Sequence, residues 1–169
     1  NWIAISWPKE YGGQEGEGVY EYLLNEQLAY RGGPQIGKGV GIIGKTLIRH
    51  ASEKLKKEFL PKILNAEIEF AVGYSEPEAG SDVASITTTA RTDGADYLID
   101  GCKTWISNGG IADHYVVFAR TGEGSGTREL SAFIVPADSP GLSITERIEI
   151  IAPHPLATWN LIRSGYQPN

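Results

Sequence analysis

At 169 residues with a net charge of −6, the chain has room for one domain of ordinary size, or for a small domain and part of another. A hydrophobic content of 41% and a charged content of 21% fit a folded globular protein and argue against disorder, and the acidic balance argues against a general nucleic-acid binder. No apolar run approaches the roughly 20 residues of a membrane-spanning helix, and the single cysteine, Cys102, excludes an internal disulfide and a multi-cysteine metal site.

Cys102 lies in a strand-like pattern, where it reads as a small buried hydrophobe rather than a nucleophile. With no secretory signal visible at the N-terminus, these features point to a reducing, cytoplasmic compartment (the mitochondrial matrix in a eukaryote). There is no methionine, and Asn1-Trp2-Ile3-Ala4 begins abruptly on apolar residues. Both observations point to a fragment of a longer protein.

In chain order, Trp7-Pro8-Lys9-Glu10-Tyr11-Gly12-Gly13 reads as a packed, irregular loop closed by glycines. From Gly18 to Tyr30, Val19, Leu23, Leu24 and Leu28 recur at helical spacing, and Arg31-Gly32-Gly33-Pro34 stops that helix. Apolar stretches follow over 40–48 and 55–64. In the second, Leu55, Phe59 and Ile63 fall four apart, with Lys54, Lys56, Lys57 and Glu58 forming a solvated face. Pro61 is expected to kink or break the last turn. Residues 1–65 are therefore expected to form a partial helical domain.

After residue 66 the period changes from helical to alternating. Strand-like runs near 67–75, 84–92, 96–100, 102–107, 113–120, 129–136 and 142–151 are separated by turn signals such as Asp93-Gly94, Asn108-Gly109 and Pro140-Gly141. Short strands at this spacing predict an antiparallel sandwich or barrel. The fold class is thus α+β: a helical part over 1–65 and a β domain over 66–169.

Gly39-Val40-Gly41-Ile42-Ile43-Gly44-Lys45-Thr46 matches the phosphate-loop pattern G-x-x-x-x-G-K-[ST] letter for letter and contains a G-x-G-x-x-G fingerprint. Either motif needs a buried strand before it and a parallel βαβ unit around it. Neither context is present. A glycine-rich helix packed closely on a neighbour explains the residues, and a nucleotide hydrolase stays a remote alternative that requires Lys45 to touch phosphate.

Two polar stretches hold more chemistry. Tyr74-Ser75-Glu76-Pro77-Glu78-Ala79-Gly80-Ser81-Asp82 opens directly from the strand pattern Ile68, Phe70, Val72, Tyr74. Its hydroxyls and its glycine backbone suit the binding of a polar or anionic ligand on a rigid scaffold; a solvent-facing connection rich in turn formers is the other reading. In Lys103-Thr104-Trp105-Ile106-Ser107-Asn108-Gly109-Gly110, Trp105 and Ser107 share a strand face. A planar heteroaromatic ligand could lie on the indole with its edge at Ser107; alternatively, Trp105 fills the β core and Ser107 merely starts a turn.

Together these stretches resemble the acyl-CoA dehydrogenase family of flavoproteins, and the resemblance runs through nearly the whole chain. Trp7 to Gly13 is similar to the W-P-x-x-Y-G-G segment of the family's N-terminal helical domain, and Glu58 to Leu64 to the helix that leads into its middle β domain. Tyr74 to Asp82 and Gly101 to Gly109 resemble its two flavin-contacting stretches. The resemblance implies FAD, with cofactor contacts from Tyr74, Ser75, Gly80, Ser81, Trp105, Ile106 and Ser107. It implies that Ser75 bonds the flavin ring and that Ser81 serves the pyrophosphate and the nearby acyl-CoA substrate. Trp105 is implied to pack on the isoalloxazine, with Ser107 near its N5 edge. Members often carry threonine where this chain has Ser75 and Ser107, and serine keeps the donor. The paired carboxylates Glu76 and Glu78 receive no role in catalysis and are assigned to loop structure.

The chemistry implied is α,β-dehydrogenation of an acyl-CoA thioester, with a carboxylate base removing the α-proton and a β-hydride passing to flavin N5. The resemblance puts that base in a C-terminal helical bundle that this stretch does not include, so no catalytic residue is assigned here and no metal is expected. An electron-transfer flavoprotein or similar acceptor and a homo-oligomer are implied for the intact enzyme. An acyl-CoA oxidase or flavin monooxygenase of the same superfamily, and a non-catalytic remnant, are the alternatives. From Ala152-Pro153-His154-Pro155 onward the chain is expected to depart from the family's later strands, as a truncated or divergent tail after about residue 151. His154 is read there as surface structure rather than a ligand.

Overall fold

The structure is a computed structural model that describes residues 2–124, 126–151 and 154–166. The chain divides into two compact units, residues 1–69 and 70–169.

The first unit is built round Trp7, which is 1% exposed and donates its indole N–H to the Val40 carbonyl at 3.3 Å. Helix α1 (Gly18–Tyr30) carries no buried side chain. It is tied in by polar contacts: Ser6 donates its backbone N–H and its hydroxyl to Glu21 at 3.0 and 2.7 Å, and Lys45 pairs with the other oxygen of that carboxylate. Gly39–Gly44 forms a π-helical turn that continues into α2 (Lys45–His50). A Cβ on Gly44 would lie 2.0 Å from the Trp7 ring, so the glycine is required by packing.

Helix α3 (Glu53–Leu64) is capped by Ser52, whose hydroxyl accepts from the Leu55 N–H, and it buries Phe59, Leu60 and Ile63. The expected break at Pro61 does not occur, because the helix runs through it to Leu64. Pro61 and Lys57 are both exposed. The pyrrolidine ring therefore meets solvent, and the Lys57 carbonyl that loses its amide partner can be hydrated.

The second unit is a curled seven-stranded sheet with the order β1-β4-β2-β3-β7-β6, in which β5 also pairs with β4. Its strands are β1 (Phe70–Gly73), β2 (Thr89–Asp93), β3 (Asp96–Ser107), β4 (His114–Arg120), β5 (Leu130–Pro136), β6 (Leu142–Ile148) and β7 (Leu156–Tyr166). Pairing is antiparallel for β2–β3, β3–β7, β4–β5 and β6–β7. Strand β4 also has two parallel neighbours: β1 runs parallel to it over Phe70↔His114 to Gly73↔Val117, and β2 meets it in parallel at Thr89↔Arg120. Parallel neighbours need a long crossover, and the chain supplies one as the 74–88 loop followed by the β2–β3 hairpin. The core is formed by alternate residues of each strand: Tyr115, Val117 and Ala119 of β4, Phe133 and Val135 of β5, and Trp159 and Leu161 of β7.

Two local expectations are corrected. Val83–Ser85 is a short 3-10 turn, so strand β2 begins only at Thr89. The tail does not abandon the β pattern either. Ala152 and Pro153 lie outside the described residues, but β7 occupies an interior place between β3 and β6. Ala157, Trp159 and Leu161 are each 0% exposed, the period-2 signature of a strand with one buried face. The prolines that precede this alternation obscure it in the sequence.

Candidate functional site

The two polar stretches meet at a buried ion pair. Lys103 lies on β3 and Glu76 in the loop after β1; Lys103 Nζ reaches Glu76 Oε1 at 2.9 Å with both side chains almost fully buried. The same carboxylate accepts from the Thr87 N–H at 2.6 Å and its hydroxyl at 2.8 Å. It also accepts from the Thr88 N–H at 3.0 Å and from the Thr88 hydroxyl. Lys103 donates further to the Tyr74 carbonyl at 3.2 Å. A buried charge is tolerable only when paired and hydrogen-bonded, and here every lone-pair direction of the carboxylate has a donor.

Burial alone would raise the Glu76 carboxyl, but the Thr87, Thr88 and Lys103 donors outweigh it and hold it at about 2. For Lys103, burial lowers the ammonium against the opposing pull of Glu76. Glu76 is thus a structural carboxylate, held ionised and enclosed. Glu78 is exposed in the turn that Glu76 and Ala79 close with reciprocal backbone hydrogen bonds of 2.8 and 3.1 Å.

Around this anchor the predicted residues separate into groups. The Thr104 N–H donates to the Ser75 carbonyl at 2.9 Å, which places Ser75 within one residue of Trp105. Trp105 itself is 60% exposed and has a backbone φ of 58°, at a register irregularity between Lys103 and Ile106 in the β3–β7 ladder. A left-handed conformation costs a bulky L-residue about 1–2 kcal/mol. The fold therefore spends strain to lift an indole out of the sheet and into the open, and the reading in which Trp105 fills the core is excluded.

Tyr74 is 41% exposed and stacks on Phe118 with ring centroids 4.1 Å apart. The hydroxyls of Ser75 and Ser81 make no hydrogen bond among the described residues. Ser81 and Gly80 are exposed on the turn that leads to Val83–Ser85; no polar contact ties them to Trp105. Ile106 is 2% exposed and packs in the core cluster, so only its main chain is left for a ligand. Ser107 is half-buried, and its hydroxyl lies 2.8 Å from His154 Nε2. Cys102 is partly buried, and burial pushes its thiol up, consistent with an inert residue.

Sequence reading missed Thr87, Thr88 and Lys103 as partners of Glu76. The available signal was a lysine inside a strand whose neighbours are buried, opposite a run of three threonines.

The phosphate-loop motif is excluded by geometry. Its glycines are helical, its backbone N–H groups point along the helix, and Lys45 is engaged by Glu21. Among the described residues no cluster of histidine, cysteine and carboxylates could hold a metal ion. No helix there is long and apolar enough to cross a membrane.

An exposed aromatic plate, uncommitted hydroxyls and a rigid buried anchor define a loop-and-strand platform for a flat polar ligand. Two family descriptions match the chain: the acyl-CoA dehydrogenase N-terminal domain over residues 1–67 and the acyl-CoA dehydrogenase middle domain over residues 71–160. This chain belongs to the acyl-CoA dehydrogenase family.

Among curated relatives it is similar to acyl-CoA dehydrogenase FadE26 of Mycobacterium tuberculosis, at 35% identity over 162 residues, covering 94% of this chain and 40% of that protein. Among solved structures it is similar to the Tcur3481-Tcur3483 steroid ACAD, with 35% identity, a TM-score of 0.92, and coverage of 98% of this chain and 43% of that one. It is also similar to the ChsE4-ChsE5 complex from Mycobacterium tuberculosis, with 32% identity, a TM-score of 0.92, and coverage of 98% and 43%. The chain thus spans about 40% of the length of the relatives it matches.

Proposed function

We propose that this chain carries the cofactor-binding half of an FAD-dependent acyl-CoA dehydrogenase. The observation that carries the reading is Trp105, a largely exposed indole held at a strained φ of 58° and fixed beside Ser75 by the Thr104–Ser75 backbone bond. Strain that persists in a surrounding structure rigid enough to impose it marks functional positions. The donor set fits a flavin: a flat aromatic surface, neutral hydroxyls at Ser75, Ser81 and Ser107, and a turn at Gly80 where a Cβ would meet nothing. Family membership adds the prior for FAD.

In this reading Trp105 stacks on the ring system, Ser75 and Ser107 bond its polar edge with Tyr74 and the Ile106 main chain beside them, and Gly80 and Ser81 take the pyrophosphate. Ser81 also meets the acyl-CoA. When bound, FAD supplies the hydride acceptor for α,β-dehydrogenation of the thioester. This chain's own part is orientation: the Glu76–Lys103 pair fixes the loop against β3, so that Trp105 and Ser75 present one preformed surface and little ordering remains on binding. The base that removes the α-proton comes from outside residues 1–169. Residues 1–65 and 66–169 are proposed as portions of the helical and the β domain. Acyl-CoA, an electron-transfer flavoprotein or similar acceptor, and further copies of the chain are the proposed partners, in the cytoplasm.

Calorimetric titration with FAD tests the reading. Trp105→Ala is expected to weaken FAD binding roughly 5- to 150-fold, the worth of about 1–3 kcal/mol of base–aromatic stacking, with Ser75→Ala weakening it less. FAD binding unaffected by either substitution would refute the assignment.

A further inference from the structure

His154 reads from the sequence as surface structure, yet it is placed against Ser107. Its Nε2 is 2.8 Å from the Ser107 hydroxyl, and main-chain contacts of the two residues that follow it seat it there. The Asn108 N–H donates to the Pro155 carbonyl at 2.9 Å, and Ser107 pairs with Leu156 in the β3–β7 ladder. One residue further on, a Cβ on Gly109 would come within 2.7 Å of the Ala157 Cβ, so the two backbones are in close contact. The 154–157 segment is therefore clamped along the end of β3, with the imidazole over the hydroxyl.

A serine hydroxyl has one proton to give and two lone pairs to receive with, whereas a neutral imidazole nitrogen does one or the other. If Nε2 carries its proton, Ser107 accepts from His154 and keeps its own O–H for a second partner. If Nε2 is bare, the Ser107 proton goes to the ring, and Ser107 can only accept elsewhere. A flavin ring nitrogen near Ser107 is an acceptor when oxidised and a donor when reduced, so the direction of the His154–Ser107 bond matters to it.

We propose that His154 is a positioning residue that sets whether Ser107 offers the flavin a hydrogen-bond donor or an acceptor. This rests on the proposed placement of FAD at Ser107. It assigns His154 no contact with substrate or cofactor.

The test is reductive titration of the intact, FAD-loaded protein against a reference dye, comparing wild type with His154→Ala, His154→Gln, Ser107→Ala and the double variant His154→Ala/Ser107→Ala. His154→Ala is expected to change the reduced-to-oxidised flavin ratio at a fixed poise roughly threefold to tenfold, the worth of one ordinary hydrogen bond. His154→Gln, whose amide can donate as Nε2–H does, should restore most of the wild-type ratio. In the Ser107→Ala background His154→Ala should have no further effect. A purely structural role would not give that pattern, and His154 is exposed, so all variants should fold.

If Ser107→Ala shifts the ratio and His154→Ala does not, or if the His154→Ala shift persists without the serine, the inference is overturned while the flavin reading stands. If Ser107→Ala leaves the ratio unchanged, Ser107 is not at the flavin edge and the inference falls with that placement. Failure of the protein to take up FAD at all would overturn the functional reading itself.

Discussion

Gly39–Thr46 and Tyr74–Asp82 are both short, glycine-bearing and tipped with polar side chains, and they end in opposite states. The first spells a phosphate-binding motif in full, yet it is wound into a helix in which Gly44 makes room for Trp7 and Lys45 is neutralised by Glu21. The second matches no short phosphate-binding pattern, yet it keeps an open turn with uncommitted hydroxyls beside an exposed indole. What separates them is how each is anchored. A loop stays open when something rigid holds it, and here the buried Glu76–Lys103 pair does so. A glycine run with no such anchor satisfies its backbone by coiling.

The comparison is broken most directly at its anchor. Glu76→Ala would leave the Lys103 ammonium buried without its partner and strand four donors from Thr87 and Thr88, so a loss of about 3–5 kcal/mol is expected, read from chemical denaturation. A double variant Glu76→Gln/Lys103→Met should recover part of it. Acid should act on the same group. Its carboxyl sits at about 2 in the fold and near 4.3 in an unfolded chain, a depressed value. The stabilisation is therefore complete only above about pH 5 and is lost progressively as pH falls through 2 to about pH 1. A pH series of denaturation midpoints should show a decline over that window amounting to about 3 kcal/mol, and Glu76→Gln should flatten it.

In the helical stretch the expected effect is smaller and purely steric. Gly44→Ala drives a methyl into the Trp7 ring and should lower stability by about 1–3 kcal/mol, visible as a lower unfolding midpoint. Lys45→Ala tests the motif itself, since calorimetric titration with Mg-ATP should give no binding heat before or after the change. Smallest is Ser52→Ala, which removes the α3 cap and should cost about 0.5–1 kcal/mol, measured by thermal denaturation. A result as large as that of Glu76→Ala would mean that the helical unit also depends on a single polar anchor.

Most of the architecture was legible because the hydrophobic period changes cleanly. Leu55, Phe59 and Ile63 follow a helix, while Tyr115, Val117 and Ala119 follow a strand. What escaped depends on partners distant in sequence. The parallel placement of β1 beside β4 is a matter of topology that alternation does not encode. The continuity of α3 through Pro61 turns on which side of the helix faces solvent. For β7, Ala157, Trp159 and Leu161 alternate plainly, but the prolines before them draw attention to a break. The candidate site was legible as composition, in Ser75, Trp105 and Ser107. Its organising pair was not, because Glu76 and Lys103 are 27 residues apart and their meeting is fixed by the sheet.

The placement of β7 has a consequence for biosynthesis. A long edge of β3 finds its partner only when residues 156–166 have left the ribosome, long after β3 itself has emerged. At roughly 5–20 residues per second, the nascent chain carries an unpaired strand edge for several seconds, with the pocket for Trp159 unfilled. During those seconds the edge is open to mispairing with another chain, and a chaperone that shields strand edges is expected to raise the yield.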